Sequence, residues 1–352
     1  MGKVENFTFV STPVVDLLVS MLMVVNHERI SSEEDMEHKE LYSVEIKEWV
    51  RKTREQLPKD MLEELQIFFN YESYFGITLV PLIINEKVYA DIHTFLSFLH
   101  QLNDEDLYFA FTHTGYGPEK ERMIDFKDPN EVISFLKELN LPEQEKWKLS
   151  YLIFDGERTK TRLIKLIERF YYQYYQPMEK FSNSKQLDHA GLLEGELNQG
   201  NDTYFRELLS QHGIEWSKTK DIHFFVSYFF DTSILFADVH KNNMDITAFI
   251  LGTNHYNVFN VGRGEKETLE AIRIITDEKR FKVLQLLKVR PLYGYELAQE
   301  LGVSNSTVSH HLSTLVKQHL VRSIRRENKV YFEVNRDEIQ NILRQLEKML
   351  TE

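Results

Sequence analysis

"SNSTVSHHLSTL", Ser304–Leu315, is the stretch on which the fold of the C-terminal part turns. Seven of its twelve residues are Ser, Thr or Asn, whose short polar side chains compete for backbone hydrogen bonds and weaken helix interiors. Yet Val308, Leu312 and Leu315 recur at helical spacing. At about 100° per residue they form one stripe, with Val316 at its edge. The opposite side carries Ser306, His310, Ser313 and Lys317, bordered by Ser309 on one edge and by Thr307 and Thr314 on the other. Ser304 is placed to cap the helix, its hydroxyl taking an orphan amide of the first turn. No Asp or Glu occurs between Gly302 and Arg326. Small hydroxyls let a helix backbone come close to base edges and hydrogen-bond them, and a face without carboxylates does not repel phosphate. The pattern suits the major groove of DNA.

The flanking sequence agrees. "YGYELAQELG" (Tyr293–Gly302) reads as a helix with Leu297, Ala298 and Leu301 facing inward and Gly302 as its C-cap. Helix, short Gly-containing turn, helix is the helix-turn-helix pattern. Downstream, "LVRSIRR" and "KVYFEVN" flank a polar turn at Glu327–Asn328–Lys329 and predict a hairpin. Arg322, Arg325, Arg326 and Lys329 sit on or near it, as on a wing that grips phosphates without reading sequence. "TLEAIRIITDEKRFKVLQLLKV" (Thr268–Val289) predicts one long helix or two short ones. In "RDEIQNILRQLEKMLTE", Ile339, Ile342, Leu343, Leu346 and Leu350 fall on one stripe. That helix is longer than so small a module needs, which suggests a dimer contact.

From Leu297 to Val334, "LAQELGVSNSTVSHHLSTLVKQHLVRSIRRENKVYFEV" resembles the winged helix-turn-helix of the ArsR family of bacterial transcriptional regulators. The resemblance spans about 80 residues. It implies a homodimer on palindromic operator DNA, usually a repressor until a signal arrives, with recognition positions at Asn305, Ser306, Ser309, His310 and Ser313. It also has departures. Metal-sensing members often carry Cys-Val-Cys in the helix before the turn, where this chain has Tyr293, Gly294 and Tyr295. Others place Asp and His ligands on the final helix, which here has acids and no His. No metal site and no cofactor are therefore expected.

Charge separates this module from the rest. The chain of 352 residues has a formal net charge of −13, which by itself argues against nucleic acid as a partner. Residues 269–352, however, carry 14 Lys and Arg against 11 Asp and Glu, and the remainder 28 against 44. "NVGRGEKET" (Asn260–Thr268), polar and with two glycines, reads as a linker. The expectation is a mainly α (α+β) protein of two domains. Residues 1–264 would form a mostly helical sensor, effector or partner domain with strands near 220–261, and 265–352 the DNA-binding winged helix-turn-helix.

Within the first region, "VEIKEWVRKTREQL", "PKDMLEELQIFF", "DIHTFLSFLHQL" and "DPNEVISFLKEL" predict helices, with Pro58, Asp91 and Asp128 at their starts. "RTKTRLIKLIERFYYQYY" puts Leu163, Ile167, Phe170, Tyr171 and Tyr174 on one face, for a core or a ligand pocket. "DIHFFVSYFFDTSILFADVH" and "DITAFILGTNHYNVFNV", joined by "KNNMD", read as strands. The early apolar helix, then Trp49, an Arg and Leu57–Pro58, is similar to a helical domain of unknown function found ahead of such modules in longer bacterial regulators.

Catalytic patterns are not expected. Cys is absent, so disulfides and thiolate chemistry are excluded. His93 and His100 share a helix face but lie two turns apart, too far for a simple two-ligand site. "FTHTGYGPEK" lacks phosphate-loop spacing, "FDGERTK" reads as a loop starting a helix, and nothing places Glu168, Asp231 and Asp238 together. No export signal is apparent, and "PVVDLLVSMLMVV" and "FFVSYFFDTSILFADV" are too short to span a bilayer. The sequence thus predicts a cytoplasmic regulator that binds double-stranded operator DNA as a homodimer, governed by an unknown small-molecule or protein effector and without a membrane partner. A regulator controlled by a protein or peptide partner, and an enzyme with a DNA-binding tail, remain the alternatives.

Overall fold

The computed structural model describes residues 2–4, 6–33, 43–112, 124–139, 141–212, 214, 221–241, 244–261, 265–326 and 329–351. The chain forms two compact units, Met1–Val258 and Phe259–Glu352. The fold is mainly α, with one small sheet in each unit.

Unit 1 holds a five-stranded sheet of β1 (Gly2–Val4), β2 (Phe7–Ser11), β3 (Asp221–Ser227), β4 (Ile234–Lys241) and β5 (Met244–Gly252), in the order β1-β2-β3-β5-β4. The inner strands β2, β3 and β5 are parallel, and both edge strands are antiparallel to their neighbours. Between β2 and β3 lie α1 (Pro13–Glu33), α2 (Val44–Gln56), α3 (Lys59–Phe68), α4 (Leu79–Asn85), α5 (Ile92–Gln101), α6 (Asp104–Thr112), α7 (Pro129–Glu138), α8 (Glu143–Phe154), α9 (Glu157–Phe170), α10 (Gln176–Asn198) and α11 (Thr203–Gln211). The short helix α12 (His255–Val261) follows β5.

Local chemistry starts the helices as the sequence suggests. Ser43, Asp91 and Asp128 accept from the amides of Ile46, Thr94 and Asn130, and Pro58 precedes α3. The face of α9 carrying Leu163, Ile167, Phe170 and Tyr171 is buried in the core, with Tyr174 packed at its rim. Between α9 and α10 the backbone widens into a π-helical turn, Tyr171–Tyr175. Pro177 in the first turn of α10 has no N–H to continue the i→i−4 ladder, which accounts for the change of pitch.

The strand reading needs three corrections. Residues 2–4 and 7–11 also belong to the sheet: β1 pairs with the adjacent β2, and β2 pairs on its other side with β3, far away in sequence. "HYNVFNV" is helix, not strand: its aromatic residues pack round a helix against α10 and α11, as Tyr256 does on His189 and Tyr204. The linker reading is also too broad, since Asn260–Val261 end α12 and Glu265–Thr268 begin the next helix, leaving 262–264 outside the described residues. Likewise Asn242 and Asn243 of "KNNMD" fall outside them, although Lys241 pairs with Met244.

Both sheet faces are covered. On one, Phe9, Phe224, Phe249 and Phe236 stand at matched register on four adjacent strands. Their rings are 5.3, 5.3 and 5.8 Å apart, and Phe205 of α11 closes over Phe7, Phe9 and Phe224. The other face packs on α1. That helix is buried from Val14 to Val24 on all sides, the pattern of a central rather than a surface helix. No described helix is long and apolar enough to cross a membrane.

One carboxylate interrupts this apolar centre. Asp16, in the first turn of α1, is fully buried. Its Oδ2 accepts from Tyr175 Oη (2.9 Å) and Ser182 Oγ, and its Oδ1 from Ser227 Oγ (2.7 Å) and the Phe229 amide (3.3 Å). Burial pushes its pKa above the ordinary carboxylate range, against the pull of these donors. The group joins α1, the π-helical turn, α10 and the end of β3. Asp16→Ala leaves four buried donors without their acceptor and is expected to lower the stability of unit 1 by about 3 kcal/mol or more. Thermal unfolding read from unit-1 tryptophans checks this; a loss under about 0.5 kcal/mol would rule the role out.

A second buried polar cluster has the opposite pH sense. His189 on α10 is buried, with no hydrogen-bond partner for Nε2, and burial lowers its pKa to about 4. His255, bonded through Nδ1 to Tyr204 Oη (2.8 Å), is lowered likewise by burial and by His212 and His189 nearby. A histidine whose folded pKa lies below its unfolded value of about 6.5 stabilises fully above that pH and loses its contribution as pH falls toward 4. The stability of unit 1 is therefore expected to fall across this window more steeply in the wild type than in His189→Leu. The difference should approach 1.4 kcal/mol per pH unit. Denaturant melts at a series of pH values measure it, and parallel curves would contradict it.

Candidate nucleic-acid interface

Unit 2 comprises α13 (Glu265–Thr276), α14 (Glu278–Val289), β6 (Leu292–Tyr293), α15 (Gly294–Leu301), α16 (Asn305–Lys317), β7 (Val321–Arg326), β8 (Lys329–Val334) and α17 (Arg336–Thr351). The sheet order is β6-β8-β7, all antiparallel. Val308, Leu312 and Leu315 of α16 enter a core with Leu284, Leu287, Leu297 and Ile342.

The turn into α16 is built by two residues. Gly302 closes α15 at φ 66°, a left-handed conformation that suits glycine. Ser304 then caps α16, its hydroxyl accepting from the Thr307 amide (3.2 Å). Burial of Val308, Leu312 and Leu315 turns Ser309, His310 and Ser313 outward and leaves Thr307 and Thr314 at the margins. Both Ser313 and Thr314 donate to the His310 carbonyl (2.9 and 3.0 Å). Their hydroxyl protons are thus engaged, and what they offer outward is acceptor lone pairs, which match exocyclic amino groups of bases. Asn305, Ser306 and Lys317 lie on α16, but their side chains are outside the described ones.

The wing takes the expected form, with β7 and β8 paired from Val321↔Val334 to Arg326↔Lys329. Glu327 and Asn328 are outside the described residues, as are the side chains of Arg325, Arg326 and Lys329. Lys329 is the first residue of β8 rather than part of the turn. Arg322 lies at the base of the hairpin, and its guanidinium donates to Asn335 Oδ1 (2.8 Å). Tyr293 and Tyr295, at the positions compared with Cys-Val-Cys, have near-parallel rings 6.3 Å apart.

His311, which the sequence left without a role, points inward from α16. Both ring nitrogens are shielded with no hydrogen-bond partner. Burial lowers its pKa, and Asp277, Arg280 and His310 act on it. At about 100° per residue it falls some 60° from Val308, on the side of the apolar stripe, whereas His310 falls opposite.

The candidates in unit 1 do not converge. His100 Nε2 pairs with Glu168 Oε1 (2.9 Å) at the surface, and His93 packs edge-on against Tyr171. Asp231 is buried, accepting from the Ser43 amide (2.9 Å) and Asn254 (2.6 Å). The side chain of Asp238 and residues 113–120 of "FTHTGYGPEK" lie outside the described ones. Gly156 of "FDGERTK" precedes α9. Among the described residues no three His, Asp or Glu side chains are placed to hold a metal ion.

A glycine-closed turn, a capped helix with an acid-free outer face and a two-stranded ribbon define unit 2 as a winged helix-turn-helix of the DNA-binding kind. Residues 277–323 match the family described as "Bacterial regulatory protein, arsR family". The chain is 30% identical over 81 residues to the arsenical resistance operon repressor of Staphylococcus aureus, covering 23% of this chain and 78% of that protein. Over 72 residues it is 29% identical to the arsenical resistance operon repressor of Staphylococcus xylosus, covering 20% and 69%. Among solved structures it is similar to an ArsR-like transcriptional regulator from Rhodococcus sp. RHA1, with 25% identity, 24% of this chain and 79% of that chain covered, and a TM-score of 0.23. The chain belongs to the arsR family of bacterial regulatory proteins, and its family relationship is carried by unit 2.

Proposed function

We propose that this protein represses transcription by binding two-fold operator DNA as a homodimer, with α16 in the major groove and the β7–β8 hairpin on the backbone. The observation that carries the reading is the outer face of α16: Ser309, His310 and Ser313 exposed beside a buried aliphatic stripe, with no acid from residue 303 to 325. Asn305, Ser306, Thr307 and Lys317 complete the reading face, and Arg322, Arg325, Arg326 and Lys329 the phosphate contacts. Repression is the activity named for the staphylococcal relatives. The homodimer is supported by leucines left exposed on two helices that pack together, Leu269 (42%) on α13 and Leu343 (52%) and Leu350 (77%) on α17. A two-fold dimer would meet half-sites about one DNA turn, roughly 34 Å, apart or a multiple of it.

Unit 1 would act in the cytoplasm as the receiver of the signal and not as an enzyme. Two of its buried acids serve the fold: Asp16 and Asp231 are each held by several donors. A protein or peptide effector is favoured by α8, where Trp147 (73% exposed), Tyr151 (58%) and Phe154 (49%) form an aromatic stripe on the solvent side. A small molecule is the other form the signal could take.

Titration of the protein against its own upstream DNA and a scrambled duplex, across a salt series, tests the reading. Ser309→Ala with His310→Ala is expected to reduce selectivity for the upstream duplex while leaving the melting temperature unchanged; undiminished selectivity would remove α16 from the reading role. Arg325→Ala with Arg326→Ala should lower the slope of log affinity against log salt by about two. An unchanged slope would mean that the hairpin does not touch phosphate.

A further inference from the structure

Only three residues, Gln318, His319 and Leu320, separate α16 from β7. The chain reverses there through His319, at φ 54°. A non-glycine residue in this region is strained and persists only where its surroundings hold it. Two backbone bonds help: the His319 amide donates to Val316 O (2.9 Å) and the Leu320 amide to Leu315 O (2.9 Å). The third restraint comes from a residue after the wing. Asn335 is buried, and its Nδ2 donates to the carbonyl of His319 itself (2.9 Å).

The same carboxamide works on its other side. Asn335 Oδ1 accepts from Arg322 at the base of the wing (2.8 Å) and from the Glu338 amide in the first turn of α17 (3.4 Å). Its own amide donates to Leu320 O (3.0 Å). With donors facing Oδ1 and a carbonyl facing Nδ2, only one orientation of the group satisfies all its partners. Three elements therefore meet on a single side chain: the end of the reading helix, the first strand of the wing and the start of the last helix.

We propose that Asn335 is a positioning residue of the DNA interface, setting the angle between α16 and the β7–β8 wing by holding the left-handed turn at His319. The proposal rests on the reading of α16 and the hairpin as that interface. Groove and backbone must be met at once, and a rotation at His319 would swing the wing away from phosphates that it reaches when α16 is seated. A residue that only capped α17 could be Asp, which caps as well as Asn. Asp, however, has no N–H for the His319 carbonyl.

Asn335→Asp separates the two roles. It keeps the cap of α17 and an acceptor for Arg322, so the fold is retained. Selectivity for the upstream duplex over the scrambled one is expected to drop about tenfold, the scale of one buried hydrogen bond left unmade. The salt slope should fall with it, and amide exchange at His319 and Leu320 should quicken about tenfold in the absence of DNA. His319→Gly, which loses the side chain and adopts the left-handed turn without strain, should bind as the wild type does. Wild-type selectivity, slope and exchange in Asn335→Asp would overturn the proposal and leave Asn335 a cap. A wild-type protein that does not distinguish the two duplexes would count against the DNA reading instead, and the exchange rates alone would then decide whether Asn335 holds the turn.

Discussion

A buried carboxylate organises unit 1. From Val14 to Val24 helix α1 is buried on every side and has no stable place except at the centre. Its first turn nevertheless carries Asp16, whose desolvation is tolerable only because four donors surround it. Those donors come from places distant in sequence: Tyr175 in the π-helical turn, Ser182 in α10, and Ser227 and Phe229 at the end of β3. Hydrocarbon burial supplies most of the stabilisation and has little directional preference. Asp16 supplies direction, since its partners satisfy it in one arrangement of helix, turn and strand.

Unit 2 solves a different problem with similar chemistry. It holds a polar helix face in register and exposed. The aliphatic stripe of α16 anchors one side, Ser304 fixes where the helix begins, and Gly302 permits the sharp entry. Ser313 and Thr314 bond back to the His310 carbonyl, so their hydroxyls are already oriented before any partner arrives. Tyr293 and Tyr295 set a pair of near-parallel rings at the entrance to α15.

Much of this was legible in the sequence, for reasons that can be named. The helix-turn-helix and its wing are signalled within some forty residues, where spacing, Gly302, Ser304 and the hairpin alternation all act locally. The helices of unit 1 declared themselves through caps at Asp91 and Asp128 and through the apolar face of α9. What escaped was non-local. Strand β2 has five residues, and it meets β3 only through the tertiary fold. Asp16 reads as a lone acid in an apolar run, and Asn335 as an ordinary polar residue after a strand, because hydrogen-bond partners leave no periodic trace. The helix at His255–Val261 reads as a strand because Tyr, Val and Phe favour sheets on average, a preference that packing overrides.

The parallel pairing of β2 with β3, which sets Phe9 against Phe224, also has a consequence in time. During synthesis β2 is made first, and its neighbour follows more than two hundred residues later. At ordinary translation rates that interval is on the order of 10–40 s. Throughout it the strand "FTFVS" has β1 on one side and nothing on the other, and α1 has no completed shell around its hydrocarbon surface. Sheet closure with such long-range pairing is intrinsically slow, so the nascent N-terminal half stays prone to association for longer than the winged helix, whose contacts all fall within Phe259–Glu352. Chaperone demand, and the yield lost when synthesis outpaces it, should therefore be governed by unit 1.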